Sequence, residues 1–169
     1  MRYLNPSDAL ELVPQPLAIV TAGDPDRPWE RGGMAAAWVS RVSWTPPLVA
    51  VAMARERYTY RLVRKYGGFV VHVVSRRFLK MALEVFGSLS GAAVDKFEVA
   101  GVKPARAEAV TAPVIPGAPV VIECRFVGEY EVGDHVLVVG EAVRAYSQPG
   151  EEPVVWYDSS AAEIRKLTG

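Results

Sequence analysis

The sequence predicts a mainly β fold, a small β-barrel with inserted helices. Three observations carry that reading. Valine occurs 27 times in 169 residues, and β-branched side chains favour a pleated surface. The apolar runs are strand-sized and bounded by Gly, Pro and Asp. Two helix-period segments fall together after the third strand instead of alternating with strands, which argues against a doubly wound parallel sheet. A β-sandwich is the alternative arrangement, and one domain spanning residues 1–169 suits the length.

Asn5-Pro6 marks a helix start, with Asn5 as cap and Pro6 at the first helical position. Pro14 and Pro16 keep that helix short. Leu17 to Ala22 is a strand, and Gly23 to Pro28 is a loop by its turn chemistry. Met34 to Ser43 is apolar and rich in small residues, and is expected as one strand. Leu48 to Ala54 is a strand too continuously apolar to have a wet face. Tyr58, Leu62, Val63 and Tyr66 share one side of a helix that Gly67 ends. Phe69 to Val74 is a buried strand. Ser75 is placed to cap a second helix, with Phe78, Met81, Ala82, Val85 and Phe86 as its apolar stripe and Gly87 as its stop. Residues 87 to 118 are rich in Gly and Pro, with room for short strands. Ile122, Cys124 and Phe126 alternate with Glu123 and Arg125. Gly133-Asp134 turns this strand back into His135 to Tyr146. Ser160 with Glu163 has the spacing of a capping box for a short C-terminal helix.

Composition excludes several functions. Nineteen basic side chains balance nineteen acidic ones, which argues against a nucleic-acid binder. The apolar runs fall far short of a membrane span and the N-terminus lacks a signal-peptide pattern, so a soluble, cytoplasmic protein is expected. One cysteine excludes an internal disulfide, and two histidines with one cysteine offer little for a metal.

Most common catalytic and nucleotide-binding motifs are absent from the sequence. There is no Gly-x-Gly-x-x-Gly and no phosphate-binding Gly-rich loop with Lys. Gly87-Ser88-Leu89-Ser90-Gly91 has leucine where a nucleophile elbow needs serine. His72 and Cys124 read as core residues. Arg61, Arg64 and Lys65 read as a solvated helix face. Arg55 and Arg57, just before a helix with Thr59 in its first turn, make an anion site suited to one phosphate. His135 follows Asp134 at a strand mouth, either as a working histidine or as an idle hairpin edge. Met34 to Ser40 sets small residues beside Trp38, which either admits a flat ligand or packs a sheet tightly.

Taken in order, several segments resemble one family. They are Leu17-Ala18-Ile19-Val20-Thr21-Ala22, the long run from Gly33 to Val51, Arg57-Tyr58-Thr59-Tyr60, and Gly68 to Val73. Ser90-Gly91, Asp95-Lys96-Phe97, Gly117-Ala118, Glu123-Cys124 and Gly133-Asp134-His135 follow. The chain resembles the flavin reductase-like family of FMN-binding split barrels over roughly residues 12 to 157. The resemblance implies a Greek-key split barrel, a homodimer, and FMN (FAD being possible) near the interface. It implies that Ala36, Ala37, Trp38, Val39 and Ser40 line the flavin ring, with Ser43 and the Pro46-Pro47 corner shaping the pocket. Met53, Ala54, Arg55, Tyr58 and Thr59 would surround the ribityl phosphate, and Ser90, Gly91, Lys96 and Phe97 form a second segment near the flavin. His135 would face the nicotinamide and is the candidate catalytic residue. The implied reaction is hydride transfer from NADH or NADPH to flavin, with electrons passing to free flavin, a ferric complex or an acceptor protein. A flavoredoxin-like electron carrier, a ferric reductase and a flavin-free scaffold are the alternatives. The chain departs from the family pattern at Gly33, where asparagine is usual, and at Ala35 and Ala37, where many members carry hydroxyls.

Overall fold

The computed structural model describes residue 1 and residues 3–165. Helix α1 (Pro6–Glu11) is capped by the Asn5 side chain, which accepts the Ser7 N–H at 2.9 Å. Strands β1 (Gln15–Pro16), β2 (Ala18–Gly23), β3 (Arg31–Ala36), β4 (Val39–Ser43) and β5 (Leu48–Ala54) follow, with a 3-10 turn over Pro28–Glu30. Helix α2 (Tyr58–Tyr66) ends at Gly67, whose φ of 68° is the left-handed conformation that glycine adopts freely. After β6 (Gly68–Val73) come α3 (Lys96–Val99), β7 (Ala105–Arg106), β8 (Pro113–Val114), β9 (Val120–Val132), β10 (His135–Ser147), β11 (Val154–Tyr157) and β12 (Ser160–Glu163).

Seven strands form one antiparallel sheet in the order β3-β2-β6-β9-β10-β5-β4. β3 and β4 are consecutive in the chain but stand at opposite edges. Ala37 and Trp38 alone carry the chain from one edge to the other, so the barrel is split there and not closed by hydrogen bonds. A single core nonetheless joins residues from both halves. Val20 and Met34 pack with Val51, Met53, Phe69, Cys124 and Val138, and α2 adds Leu62 and Val63. The opposite face of β2 and β6 is covered as well, by a second cluster containing Ile19, Phe78, Phe86, Phe97 and Ile115 and a third containing Val70 and Val114. Burial on both faces is why β2 and β6 read as unbroken apolar runs.

The structure corrects several expectations. Met34 to Ser43 is two strands, broken at Ala37-Trp38. The second helix is a 3-10 turn (Arg76–Phe78) followed by a π-helix (Met81–Gly87). Ser75 does not cap it, because its hydroxyl donates to Glu151 instead. Glu123 sits on the face expected to be wet, yet it is fully buried. Its two carboxylate oxygens accept the Glu108 and Ala109 N–H groups at 3.0 and 2.6 Å, which anchors the 105–112 segment. Ser160 and Glu163 belong to strand β12, which pairs with β11 in a small sheet with β1. Asp158 and Ser159 take positive φ angles of 49° and 57° in the turn between them, which commits the chain to a hairpin before a helix can start.

His72 is a core histidine. Its Nδ1 lies 3.1 Å from the Ile19 carbonyl, and its Nε2 accepts the Ile115 N–H at 3.0 Å. This pattern requires the neutral ring with the proton on Nδ1. Burial pulls its pKa down from 6.5 to about 4. Below pH 6.5 the unfolded chain takes up a proton that the folded chain refuses, so stability falls between about pH 6.5 and pH 4 and levels off below. We expect this residue to remove about 3 kcal/mol across that window. Urea melts at pH 7.5, 5.5 and 4.5 should show the slope in the native protein and a flatter one in His72→Gln. An equal slope in both would assign it to other groups.

Candidate functional site

The site forms where α2 begins. Arg57 is extended and supplies no side-chain cap, so the first N–H groups of the helix have no partner within it. They open on a cleft of about 350 Å³ lined by Gly33, Met34, Glu56, Arg57, Tyr58, Thr59, the Ser88–Gly91 segment and Lys96. Three separated stretches of chain therefore meet around one space. Of the residues expected at a flavin site, the cleft gathers Tyr58, Thr59, Ser90, Gly91 and Lys96. Thr59 is almost wholly buried.

Lys96 is the most constrained of these. It opens α3, where the Asp95 side chain caps the helix by accepting the Phe97 N–H at 3.1 Å. Asp95 also pairs with Arg31 at 2.5 Å. The Lys96 side chain is 3% exposed, and Nζ donates to the carbonyls of Gly33 and Phe86, each at 2.9 Å. An ammonium has three N–H groups, so one remains for whatever enters the cleft. Burial, and then the nearby Arg57 charge, push its pKa down to about 8. Phe97 lies behind the cleft with its ring edge-on to Phe86 at 5.5 Å.

The glycines of this region are set by close approach. A Cβ on Gly33 would sit 2.7 Å from the Phe86 ring, so the asparagine that the resemblance leads one to expect has no room here. A Cβ on Gly91 would stand 3.1 Å from the Tyr58 ring.

The other expected residues lie elsewhere. Trp38 is half exposed, and its ring centroid is 4.8 Å from that of His135. His135 opens β10 opposite Ala54 on β5, and its Nδ1 is 2.7 Å from the Asp134 carboxylate. That contact lowers the Asp134 pKa. Ala36 ends β3, and Ala37 and Trp38 span the split. Val39 and Ser40 pair with Val51 and Ala50, and Ser43 with Leu48. Pro46 is exposed in the turn that follows. Met53 is entirely buried in the main core. Arg55 is not at the cleft but pairs with Glu131 across the barrel mouth.

Sequence reasoning did not place Glu56, Ser88 or Leu89 at the cleft. The Ser-Leu-Ser run after an apolar stripe was the signal available for two of them. Two of the larger cavities are lined by other residues, with Leu89 alone shared by the second. In one, of about 530 Å³, Arg76 and Arg77 are already paired with Glu163 and Glu151. The other, of about 650 Å³, has walls chiefly of apolar side chains around Phe78, Met81 and Val99.

The cleft fits a phosphorylated ligand by the chemistry of its donors: free helix amides, the Thr59 and Ser90 hydroxyls, the Arg57 guanidinium and the Lys96 ammonium. No helix among the described residues is long and apolar enough to cross a membrane.

Comparison with known proteins gives a consistent result. An uncharacterised protein of Aeropyrum pernix is 38% identical over 83% of this chain, and the chain spans 53% of that protein's length. The chain likewise spans 60% of a relative from Archaeoglobus fulgidus. The NADH:riboflavin 5'-phosphate oxidoreductase of Streptomyces pristinaespiralis is 30% identical over 89% of this chain and 81% of its own. The NADH:FAD oxidoreductase SgcE6 of Streptomyces globisporus superposes with a TM-score of 0.85 at 25% identity, covering 98% of this chain and 99% of its own. The flavin reductase like domain model matches residues 10–165, a span that takes in both barrel edges, the split between them and every wall of the cleft. This chain belongs to the flavin reductase like family.

Proposed function

We propose that the chain is an NAD(P)H-dependent flavin reductase that binds FMN, with FAD as an alternative flavin. The observation that carries this reading is the convergence of Arg57, Thr59, Ser90 and Lys96 on one cleft beside the uncapped end of α2. In this reading the cleft holds the flavin phosphate, and the ring lies toward the barrel split, where Ala36, Ala37, Trp38, Val39 and Ser40 run. Small side chains there let a flat ring approach the backbone. Ser43 and Pro46 shape the far end of that surface, Ala54 and Met53 form the strand beneath it, and Arg55 and Phe97 support the two sides.

Bound flavin supplies the two-electron chemistry. The protein binds, orients and excludes water. Trp38 packs against His135, and Asp134 fixes the ring of His135 through Nδ1. His135 thus presents Nε2 to the nicotinamide donor, whose hydride must be held at attack distance. Lys96 would place positive charge beside the flavin phosphate.

The whole chain acts as one domain in this reading, in the cytoplasm and as a homodimer. The uncovered edge strand β4 supports a homodimer, because Val42 on it and Trp38 and Trp44 at its two ends are all exposed.

The test is an anaerobic absorbance experiment. The protein is saturated with FMN, desalted, and given NADH or NADPH. Flavin should be retained and bleach with at least one donor. His135→Ala should retain flavin and bleach about 10- to 100-fold more slowly, as loss of a positioning contact would imply. Retained flavin that neither donor reduces would replace this reading with an electron carrier.

A further inference from the structure

A second cleft lies against the first. It has a volume of about 360 Å³ and runs from Trp29 and Arg61 to the Gly91–Asp95 segment. Tyr58 and Gly91 line both clefts, so the two share a wall.

Trp29 presents its indole to this cleft and is 73% exposed, yet its backbone is fastened on both sides. Its carbonyl accepts the Tyr58 hydroxyl at 2.6 Å. The next residue, Glu30, accepts from Lys65 at 2.8 Å and from the Tyr66 hydroxyl. Those donors, Lys65 first, lower the Glu30 pKa to about 2, so the anchorage stays ionised near neutral pH. A large aromatic ring held in solvent on a fixed turn, above a cleft, is suited to stacking a flat heterocycle. Opposite it, Ala92 and Ala93 present little bulk.

The charges agree. Arg57, the extended residue just before α2, and Arg61 within it are four residues apart in the chain. Arg57 lines the first cleft and Arg61 the second. Arg64 and Lys65 on the same helix are paired with Glu129 and Glu30, whereas Arg57 and Arg61 enter none of the ion pairs among the described residues. Asp95, the one carboxylate in the second cleft, is already engaged by Arg31 and the Phe97 N–H. Two unpaired guanidiniums, one on each cleft, supply the charge that a pyrophosphate needs.

We infer that the second cleft holds the adenylate half of a dinucleotide whose other half occupies the first, with adenine on Trp29 and the pyrophosphate between Arg57 and Arg61. It rests on the flavin reading above, and it makes FAD the flavin that fills the whole surface. NADH carries the same adenylate, but the wall shared through Tyr58 and Gly91 gives continuity with the flavin.

Binding of FMN and FAD to the full-length protein by flavin fluorescence quenching tests this, together with steady-state KM for NADH. Trp29 and Arg61 are exposed, and retained FMN binding reports that each variant is folded. Wild type should bind FAD more tightly than FMN. Trp29→Ala should weaken FAD about tenfold, and Arg61→Gln about fivefold, with FMN within about twofold in both. FAD and FMN affinities that fall together, or neither of which moves, would overturn the inference while leaving the flavin site intact. An effect confined to the KM for NADH would overturn it by giving the adenylate to the donor. A wild-type protein that binds neither flavin would reject the flavin reading and this inference together.

Discussion

Replacing Lys96 with methionine is expected to lower stability by about 2 kcal/mol and FMN affinity at least tenfold. The side chain of Lys96 ties the carbonyl of Gly33 on β3 to that of Phe86 in the π-helix. Methionine fills similar space but leaves both carbonyls without the donor that pairs them. Relief of a buried charge offsets part of that loss. Urea unfolding and FMN titration at pH 7.5 read the two effects separately. The pH dependence gives a sharper signature. The ammonium is released at about pH 8 in the folded chain, against an ordinary value of 10.5. Between those values the unfolded chain binds more protons, so this residue makes stability rise with pH from about 8 to 10.5. The penalty for burying the charge is fully present below pH 8. Neutral lysine keeps two N–H groups, enough for both carbonyls. Native protein should therefore gain stability relative to Lys96→Met on going from pH 8 to pH 10, and parallel curves would refute the buried ammonium.

Gly33→Asn, which installs the asparagine that the resemblance leads one to expect, is expected to destabilise this member by about 2–3 kcal/mol. The new Cβ would meet Phe86 Cε1 at 2.7 Å and the Val20 carbonyl oxygen at 3.0 Å. The ring is edge-packed on Phe97 and has little freedom to retreat. The strain falls on the same carbonyl that Lys96 holds, so flavin retention should drop as well. Phe86→Leu opens the space. The double variant should recover about half of the loss beyond the sum of the single changes, measured as a thermodynamic cycle. Additive effects would mean that Phe86 is not what forces glycine at this position.

The contrast between what could and could not be read in the sequence follows from where the deciding interactions lie. Leu48 to Ala54 was legible as a strand from its apolar run alone, although only Ala50, Val51 and Met53 are buried and the Leu48, Ala52 and Ala54 side is partly open. The end of α2 was legible because Gly67 acts locally. Met34 to Ser43 misled because Ala35, Ala36 and Ala37 carry no local signal for the break that the barrel split imposes. Ser160 and Glu163 have capping-box spacing, but pairing with β11 is a tertiary term that spacing does not contain. The alternation around Cys124 placed Glu123 on the correct face, and only the 105–112 segment folded over it reveals why that face is dry.

The site divides in the same way. Arg55, Arg57 and Thr59 predicted an anion site by their own chemistry, and of the three Arg57 and Thr59 line the cleft. Ser90, Gly91 and Lys96 came through resemblance, since nothing in their spacing brings them to α2. Trp29 sits among Asp, Pro and Arg in what reads as a plain loop. Its role as a fixed platform depends on Tyr58 and Glu30, contacts that no local pattern reports.

The walls of the first cleft come from Gly33–Met34, Glu56–Thr59 and Ser88–Lys96, and no single stretch encloses it. A ligand held there is therefore held only by the assembled barrel. By mass action, such a ligand at a hundred times its Kd adds about 2.7 kcal/mol to the folded state, a large share of what a domain usually possesses. A chain arranged in this way is expected to resist proteolysis longer with its ligand than without it.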